Sequence, residues 1–344
     1  MTVTILNGDC RGVLKTLPDE SVHCVVTSPP YFGLRDYGVS GQIGLEPTPD
    51  AFVAEMVAVF REVRRVLKDD GTLWLNLGDS YAGGGHGGGG SFQKERHWRK
   101  GAVPGEGGDQ GGARNRDGLG RVTGLKPKDL IGIPWRVAFA LQADGWWLRQ
   151  DIIWSKPNPM PESVTDRCTK AHEYVFMLTK SARYYYDGEA IKEPAIYTGL
   201  ANQDDSGFKD PRSFNGKHKD GYRTSDKQRG HSRRHAGFND RWDAMEREEQ
   251  CSGMRNKRSV WTVATAPFSE AHFATFPPAL IEPCILAGCP KGGTVLDPFG
   301  GAGTSGLVAD RLGRNAILIE LNPEYAAMAE RRIKADAGLF AEVA

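Results

Sequence analysis

The first part of the chain alternates between short apolar runs and one long amphipathic stretch. Residues 22–27 are a β-branched run that predicts a strand, and residues 72–77 predict a second, buried strand. Between them, Thr48 followed by Pro49 is typical of a helix start. The apolar residues behind this start recur at helical spacing until an Asp-Asp-Gly turn at 69–71. The order strand, loop, helix, strand favours an α/β sheet.

The same pattern returns near the other end of the sequence. Residues 293–297 predict a strand, 299–303 a glycine turn and 304–312 a helix. A further strand is predicted at 316–320 and a further helix at 323–334. Both ends of the chain therefore contribute to α/β structure.

The middle of the chain contains one regular stretch between two polar segments. Residues 130–141 predict a helix, and residues 147–154 and 173–178 predict two strands that pair with each other. By contrast, residues 83–124 hold 16 of the 43 glycines, which predicts a flexible loop. Residues 181–260 are polar, basic and poor in aliphatic side chains, which predicts an inserted recognition region.

The composition is that of a globular protein with a sizeable core. Of 344 residues, 39% are hydrophobic and 25% are charged, which suits one large domain or two modest ones. No apolar run approaches the roughly 20 residues of a membrane span, and the N-terminus lacks the pattern of a signal peptide. The six cysteines form no CxxC pair, so neither a zinc site nor a disulfide framework is indicated. These features predict a cytoplasmic protein without a membrane segment or a metal site.

The net charge of +1 argues against a nucleic-acid partner until its distribution is considered. Residues 94–128 carry nine Lys or Arg against four Asp or Glu, a local net charge of +5. Residues 207–235 carry nine against three, a net charge of +6, which leaves −10 on the remainder of the chain. Because local charge creates the binding field, the two basic segments are candidates for contact with DNA.

A glycine-rich turn with the sequence Asp-Pro-Phe-Gly-Gly-Ala-Gly-Thr occupies residues 297–304. Such a turn between a strand and a helix lets a ligand approach the backbone at the carboxyl edge of a sheet. Glu320 ends the next predicted strand, where its carboxylate can accept hydrogen bonds from both hydroxyls of a ribose. The pair favours a nucleoside-containing cofactor, although a glycine turn alone is equally typical of nicotinamide and flavin enzymes.

A second motif, Thr-Ser-Pro-Pro-Tyr, follows the first predicted strand at residues 27–31. Two consecutive prolines make a stiff loop, and the residue before a proline is held extended, so Ser28 and the carbonyl of Pro29 can point into one cleft. Tyr31 offers a flat face for a planar ligand. Taken alone, the motif is equally typical of an ordinary surface turn.

Together, in this order, the two motifs resemble those of the S-adenosylmethionine-dependent DNA amino-methyltransferases of the β arrangement. The resemblance covers about 1–81, 125–180 and 260–335. It implies a permuted Rossmann-like methyltransferase fold, that is, an α/β protein with a mixed, mostly parallel, doubly wound sheet and a basic inserted target-recognition region. The catalytic domain would comprise residues 1–180 and 261–344, with 181–260 as that inserted region.

The resemblance also implies roles for individual residues. Ser28 Oγ and the Pro29 carbonyl would accept the two N–H bonds of an exocyclic amine, with Pro30 stiffening the loop and Tyr31 holding a flipped base. Residues 78–81 would line the target pocket. Contacts with S-adenosylmethionine would come from Asp9, Phe276, Pro277, Asp297, Phe299, Gly301, Gly303, Thr304, Glu320 and Asn322.

The expected partner is double-stranded DNA, and the oligomeric state stays open, with a homodimer as one arrangement. The basic side chains expected on DNA are Lys209, Arg212, Lys217, Lys219, Arg223, Lys227, Arg229, Arg233 and Arg234. Positive potential is expected on the face that holds Ser28 and Tyr31.

Serine at the first position of the target loop favours cytosine N4 over adenine N6 as the methylated atom. The alternatives from the residues are an RNA or protein methyltransferase, a catalytically silent nucleic-acid-binding protein and a dehydrogenase.

Overall fold

The computed structural model describes residues 1–34, 36–82, 124–195, 253–265, 275–337 and 342–343. The chain divides into two compact units, one formed by residues 1–190 with 258–344 and the other by residues 191–257. The predicted roles of 181–260 and of the glycine-rich loop 83–124 stay predictions, because most of both segments lies outside the described residues.

The first half of the larger unit alternates strands with helices. Its elements are β1 (Thr2–Asn7), α1 (Cys10–Val13), β2 (Val22–Thr27), α2 (Pro49–Val66), β3 (Leu67–Leu77), α3 (Ile133–Ala143), β4 (Trp147–Ser155) and β5 (His172–Thr179). The smaller unit contains the antiparallel pair β6 (Glu193–Pro194) and β7 (Met254–Arg255).

The second half of the larger unit continues the alternation. Its elements are β8 (Val260–Thr262), α4 (Pro278–Gly288), β9 (Thr294–Asp297), α5 (Thr304–Arg311), β10 (Asn315–Glu320), α6 (Pro323–Ala337) and β11 (Glu342–Val343). Among the helices of the described residues, none combines the length and the apolar character that crossing a membrane requires.

One mixed sheet organises the larger unit. Among the described residues it has nine strands in the order β11-β1-β10-β9-β2-β3-β5-β4-β8. The strands from β11 to β3 run parallel, whereas β5 runs antiparallel to both β3 and β4. The predicted mixed, mostly parallel α/β sheet is therefore confirmed, as is the pairing of the two strands in the middle of the chain.

The sheet order places two distant parts of the sequence side by side. β2 pairs in parallel with β9, with Cys24 opposite Val295 and Val25 opposite Leu296. Parallel neighbours end at the same edge of a sheet, so the loops that follow β2 and β9 emerge together. The target loop at 28–31 and the glycine turn at 297–304 are thus neighbours, as the permuted order predicts.

The amphipathic helix α2 covers one face of this sheet with its apolar side. Thr48 caps the helix, because its side-chain oxygen accepts the N–H of Ala51 at 3.1 Å. Phe52, Met56 and Phe60 recur at helical spacing and are fully buried. Burying each such side chain contributes about 1.5–3 kcal/mol.

Two predicted boundaries are wrong, and local geometry gives the reason. The helix α2 ends at Val66 and β3 starts at once, so 69–71 is not the helix-ending turn. Val22 pairs with Leu67 and Cys24 with Thr72, so the four residues 68–71 of β3 stand opposite the single residue His23 and form a bulge. Helix α3 starts at Ile133 rather than at 130, because Gly132 before it is left-handed, with φ of 79°.

Candidate active site

A buried carboxylate joins the target loop to the glycine turn. Thr27, the last residue of β2, donates its hydroxyl to Asp297 Oδ1 at 2.6 Å. Asp297 is 1% exposed, and it also accepts Ser305 Oγ at 2.6 Å and the Phe299 N–H at 3.0 Å. Burial raises the pKa of this carboxyl above its ordinary value, against the three hydrogen bonds. Asp297 therefore holds the two loops in one fixed relation.

The last two positions of the glycine turn pack against α6. Gly303 has φ of 76°, and a Cβ on it would lie 2.8 Å from the Cβ of Ala329. The Thr304 hydroxyl accepts a hydrogen bond from Arg332 Nη1 at 2.9 Å. Packing accounts for both residues in this structure, and their contact with S-adenosylmethionine stays a prediction.

The middle of the turn differs from its end. Gly301 has φ of 50°, and the nearest atom that a Cβ there would meet is the carbonyl oxygen of Phe299 at 3.9 Å. Phe299 itself is partly buried against the apolar core. This part of the turn, which we call the cradle, has room for a ligand to approach the backbone beside a partly buried aromatic ring, as a nucleoside cofactor does at such turns.

Glu320 stands at the carboxyl end of β10, next to this cradle. Its Oε2 accepts the Gly301 N–H at 2.7 Å, and its Oε1 accepts the Asn322 N–H at 2.8 Å. Burial raises the pKa of Glu320, with the carboxylate of Asp297 as a smaller cause in the same direction. Each carboxylate oxygen can accept more than one hydrogen bond, so the fixed carboxylate fits a ribose diol.

The acidic residue after β1 is engaged with a neighbouring arginine. Asp9 accepts the Arg11 backbone N–H at 2.9 Å and Arg11 Nη2 at 2.6 Å. The guanidinium lowers the pKa of the Asp9 carboxyl. Gly8 donates its N–H to the Glu320 carbonyl at 2.9 Å, so this strand end lies beside the ribose position. The predicted contact of Asp9 with the cofactor's adenine stays a prediction.

The segment before α4 is described only at its end. Pro277 is buried at the cap position of α4, and Phe276 is partly buried. Residues 266–274, which precede this segment, lie outside the described part of the chain.

The target loop contains an engaged tyrosine. Tyr31 Oη donates to Glu173 Oε2 at 2.7 Å and lies 3.2 Å from Asn76 Oδ1. Ser28 Oγ lies 3.4 Å from the same Tyr31 oxygen. A Cβ on Gly78 would fall 2.5 Å from the Tyr31 ring, so the ring packs directly on this glycine. Burial, with the nearby carboxylate of Glu173, raises the pKa of Tyr31 well above its ordinary value.

A polar cluster behind the target loop was missed by sequence reasoning. Glu173 forms a short ion pair with Lys156, and the side chains of the two are 15% and 18% exposed. Asn76 Nδ2 donates to Glu173 Oε2 at 3.2 Å and to the Tyr174 carbonyl at 3.0 Å. The one signal in the sequence was Asn76, a polar residue within an apolar strand.

The segment predicted to line the target pocket has a structural contact of its own. The Asp79 carboxylate accepts the N–H groups of Gly132 and Ile133 at 3.0 and 3.1 Å and so caps α3. The Arg167 guanidinium lies 4.1 Å from the centre of the Tyr81 ring. In this structure, Asp79 positions a helix.

The predicted DNA-contacting side chains lie outside the described residues. The same holds for most of the basic segment 94–128 and for all of 207–235, so the expected face of positive potential stays a prediction. The side chains concerned are Lys209, Arg212, Lys217, Lys219, Arg223, Lys227, Arg229, Arg233 and Arg234.

Comparison with known proteins agrees with this geometry. A family model described as DNA methylase, of the N6/N4 type, matches residues 22–331. The chain is 45% identical to the type II methyltransferase M.Cfr9I of Citrobacter freundii over 333 residues, which cover 97% of this chain and 88% of the relative. It is also 45% identical to the type II methyltransferase M.SmaI of Serratia marcescens over 337 residues, with 96% and 90% covered.

Solved structures of other DNA methyltransferases share the fold. The cytosine-N4-specific PvuII DNA methyltransferase superposes with a TM-score of 0.58 at 20% identity, covering 96% of this chain and 87% of that one. A putative DNA modification methylase of Thermus thermophilus, complexed with S-adenosylmethionine, superposes with a TM-score of 0.54 at 24% identity over 99% of both chains. The chain therefore belongs to the N6/N4 family of DNA methylases, enzymes that use S-adenosylmethionine to methylate an amino group of a base.

Proposed function

We propose that this protein is the methyltransferase of a type II restriction–modification system and methylates cytosine N4 in duplex DNA. The observation that carries the proposal is the hydrogen bond of 2.6 Å between Thr27 and Asp297. It fixes the amine-binding loop directly beside the turn that holds the methyl donor. Type II methyltransferases at 45% identity over nearly the whole chain support the same class.

The chemistry requires an activated amine. An exocyclic amine is a poor nucleophile because its lone pair is conjugated with the ring. Ser28 Oγ and the Pro29 carbonyl accept its two N–H bonds, which favours a more tetrahedral nitrogen and frees the lone pair. S-adenosylmethionine supplies a methyl group on a positively charged sulfur, which keeps the bond's electron pair when the nitrogen attacks. The methylated nitrogen then releases one proton to water. Because the methyl donor is already activated, the protein contributes mainly positioning and electrostatics.

The residues at the strand ends fit the donor. Glu320 accepts the ribose hydroxyls, the backbone at Gly301 leaves room for the nucleoside, and Phe299 contributes an apolar wall. A stacked base cannot reach this edge of the sheet, so the target is flipped out of the duplex. The basic side chains between 209 and 234 contact phosphates and give an affinity that falls with salt.

The assignment of the target base depends on one residue. Serine at position 28 favours cytosine N4 in this family, whereas aspartate at that position usually accompanies adenine N6. The test is to incubate the protein with labelled S-adenosylmethionine and unmethylated plasmid DNA, digest the product and identify the modified nucleoside by mass. N4-methylcytosine is expected. N6-methyladenine would overturn the base assignment alone, and 5-methylcytosine would overturn the mechanism. Cofactor binding without transfer would favour a silent DNA-binding protein.

Cofactor affinity is expected to weaken in acid because Glu320 must be ionised to accept two hydroxyls. Burial raises the pKa of Glu320 above 4.5, so the carboxylate gains its proton at a higher pH than a free glutamate does. Affinity for S-adenosylmethionine should therefore be highest at neutral pH and fall as the pH drops through the raised pKa of Glu320. Calorimetric titration between pH 4.5 and 7.5 measures it.

The matched variant is Glu320→Gln, which keeps the shape and loses the charge. Its affinity for S-adenosylmethionine should be about tenfold weaker at neutral pH, as expected for the loss of a charge-assisted hydrogen bond. That affinity should no longer fall as the pH is lowered. If the affinity of Glu320→Gln still fell in acid, the pH dependence would belong to another titratable group.

A further inference from the structure

A chain of hydrogen bonds leads from the target loop to a carboxylate on another strand. Ser28 Oγ lies 3.4 Å from Tyr31 Oη, and Tyr31 Oη lies 2.7 Å from Glu173 Oε2. Glu173 belongs to β5. In the sheet, β3 lies between β5 and β2, the strand that precedes the target loop. Neither sequence motif contains it.

The direction of this chain follows from the chemistry of its members. An ionised carboxylate can only accept hydrogen bonds, so Tyr31 donates its single proton to Glu173. Asn76 Oδ1, at 3.2 Å, is also an acceptor for that proton, but the contact with the charged carboxylate is the shorter one. The oxygen of Tyr31 is then left as an acceptor for Ser28. The Ser28 hydroxyl therefore points its proton toward Tyr31.

The carboxylate at the end of the chain is held in place from its two neighbouring strands, β4 and β3. Lys156, which directly follows β4, forms the ion pair with Glu173. Asn76 on β3 donates to the same carboxylate at 3.2 Å. The Lys156 ammonium also lies 4.2 Å from the centre of the Trp154 ring, which fixes the lysine in turn. Paired with Lys156 and held at both oxygens, the Glu173 carboxylate has a fixed orientation toward Tyr31.

We propose that Glu173 is a positioning residue that acts through Tyr31 to make Ser28 a hydrogen-bond acceptor for the target amine. A serine hydroxyl can both donate and accept, and a proton directed at the amine would occupy the lone pair that must attack. The chain Ser28–Tyr31–Glu173 turns that proton away and leaves the lone pairs of Ser28 Oγ facing the amine. The proposal rests on the proposed role of Ser28 as an acceptor.

The test is a set of single-turnover methyl-transfer rates on the same unmethylated plasmid DNA. Tyr31→Phe keeps the ring and removes the hydroxyl, and Glu173→Gln keeps the size and removes the charge. Each is expected to slow transfer about tenfold, as for loss of one charge-assisted hydrogen bond. The double variant should be no slower than the slower single variant, because both break the same chain.

The decisive comparison uses Ser28→Ala as the background. With no Ser28 hydroxyl to orient, adding Tyr31→Phe or Glu173→Gln should leave the residual rate unchanged. The affinity for S-adenosylmethionine should stay at the parent value throughout. Glu62→Gln is the matched control, because Glu62 forms an ion pair with Arg65 at 2.9 Å, both 29% exposed, on α2. It should leave the rate unchanged.

The outcomes separate this proposal from the proposed function. Further slowing by Glu173→Gln or Tyr31→Phe in the Ser28→Ala background would show that the cluster acts on structure and would overturn the proposal. Normal rates for both single variants beside a slow Ser28→Ala would overturn the proposal alone. A normal rate for Ser28→Ala would overturn the acceptor role itself. Tyr31→Phe, which removes one atom, keeps the test decisive if Glu173→Gln unfolds.

Discussion

Replacing Ser28 by alanine is expected to slow methyl transfer by about 10²–10³-fold, the usual cost of losing one group aimed at the reacting centre. The reason is that, in the proposed mechanism, Ser28 Oγ accepts an N–H of the amine in the transition state, where the nitrogen becomes tetrahedral. Ser28 is on the loop after β2, whereas the proposed donor contacts are on the loops after β1, β9 and β10 and directly before α4. Cofactor affinity should therefore stay within about twofold of the parent protein.

Single-turnover transfer and calorimetric titration with S-adenosylmethionine measure the two quantities separately. Ser21→Ala is the control, because the Ser21 hydroxyl donates to the Pro18 carbonyl in an exposed turn before β2. It should change neither quantity. A Ser28→Ala protein that loses cofactor affinity as much as it loses rate would show that the serine supports the cofactor site instead of the amine.

Replacing Asp297 by alanine is expected to lower the free energy of unfolding by about 2–4 kcal/mol, the range for leaving buried donors unpaired. The hydroxyls of Thr27 and Ser305 and the N–H of Phe299 all donate to this one buried carboxylate. The glycine turn would lose its link to the target loop, so affinity for S-adenosylmethionine should fall with stability. Urea denaturation and calorimetric titration measure the two losses.

Asp297→Asn should be much milder. Its amide oxygen still accepts from two of the donors, and its NH₂ group can donate to a hydroxyl that rotates. Because burial raises the pKa of Asp297, the carboxyl stabilises the fold most in acid, and that contribution declines as the pH rises through the raised value. A neutral amide avoids the cost of a buried charge at neutral pH. Equal destabilisation by alanine and asparagine would contradict this account.

The exposed Asp19 provides the surface control for that series. It forms an ion pair with Arg65 while its own side chain is 74% exposed. Asp19→Ala should cost at most about 1 kcal/mol, as for other surface pairs. A comparable loss at Asp19 and Asp297 would mean that the denaturation curves do not report the buried contact.

The sequence alone determined the elements that carry the fold. Strand β2, helix α2 and the strand–turn–helix around 297–304 follow from local period and from proline and glycine placement, which act within a few residues. The two motifs and their order also predicted that β2 and β9 are neighbours, because a permuted doubly wound sheet leaves few other arrangements.

Only the tertiary structure decided which polar side chains meet. The bond between Thr27 and Asp297 spans 270 positions, and the contacts of Tyr31 with Asn76 and Glu173 span 45 and 142. Such pairs depend on strand order and on register within one residue, since a shift of one position turns a side chain to the other face. Local pattern carries no information about that register. For this reason the sequence located the loop that holds Ser28 but not Glu173, the carboxylate that we propose orients it.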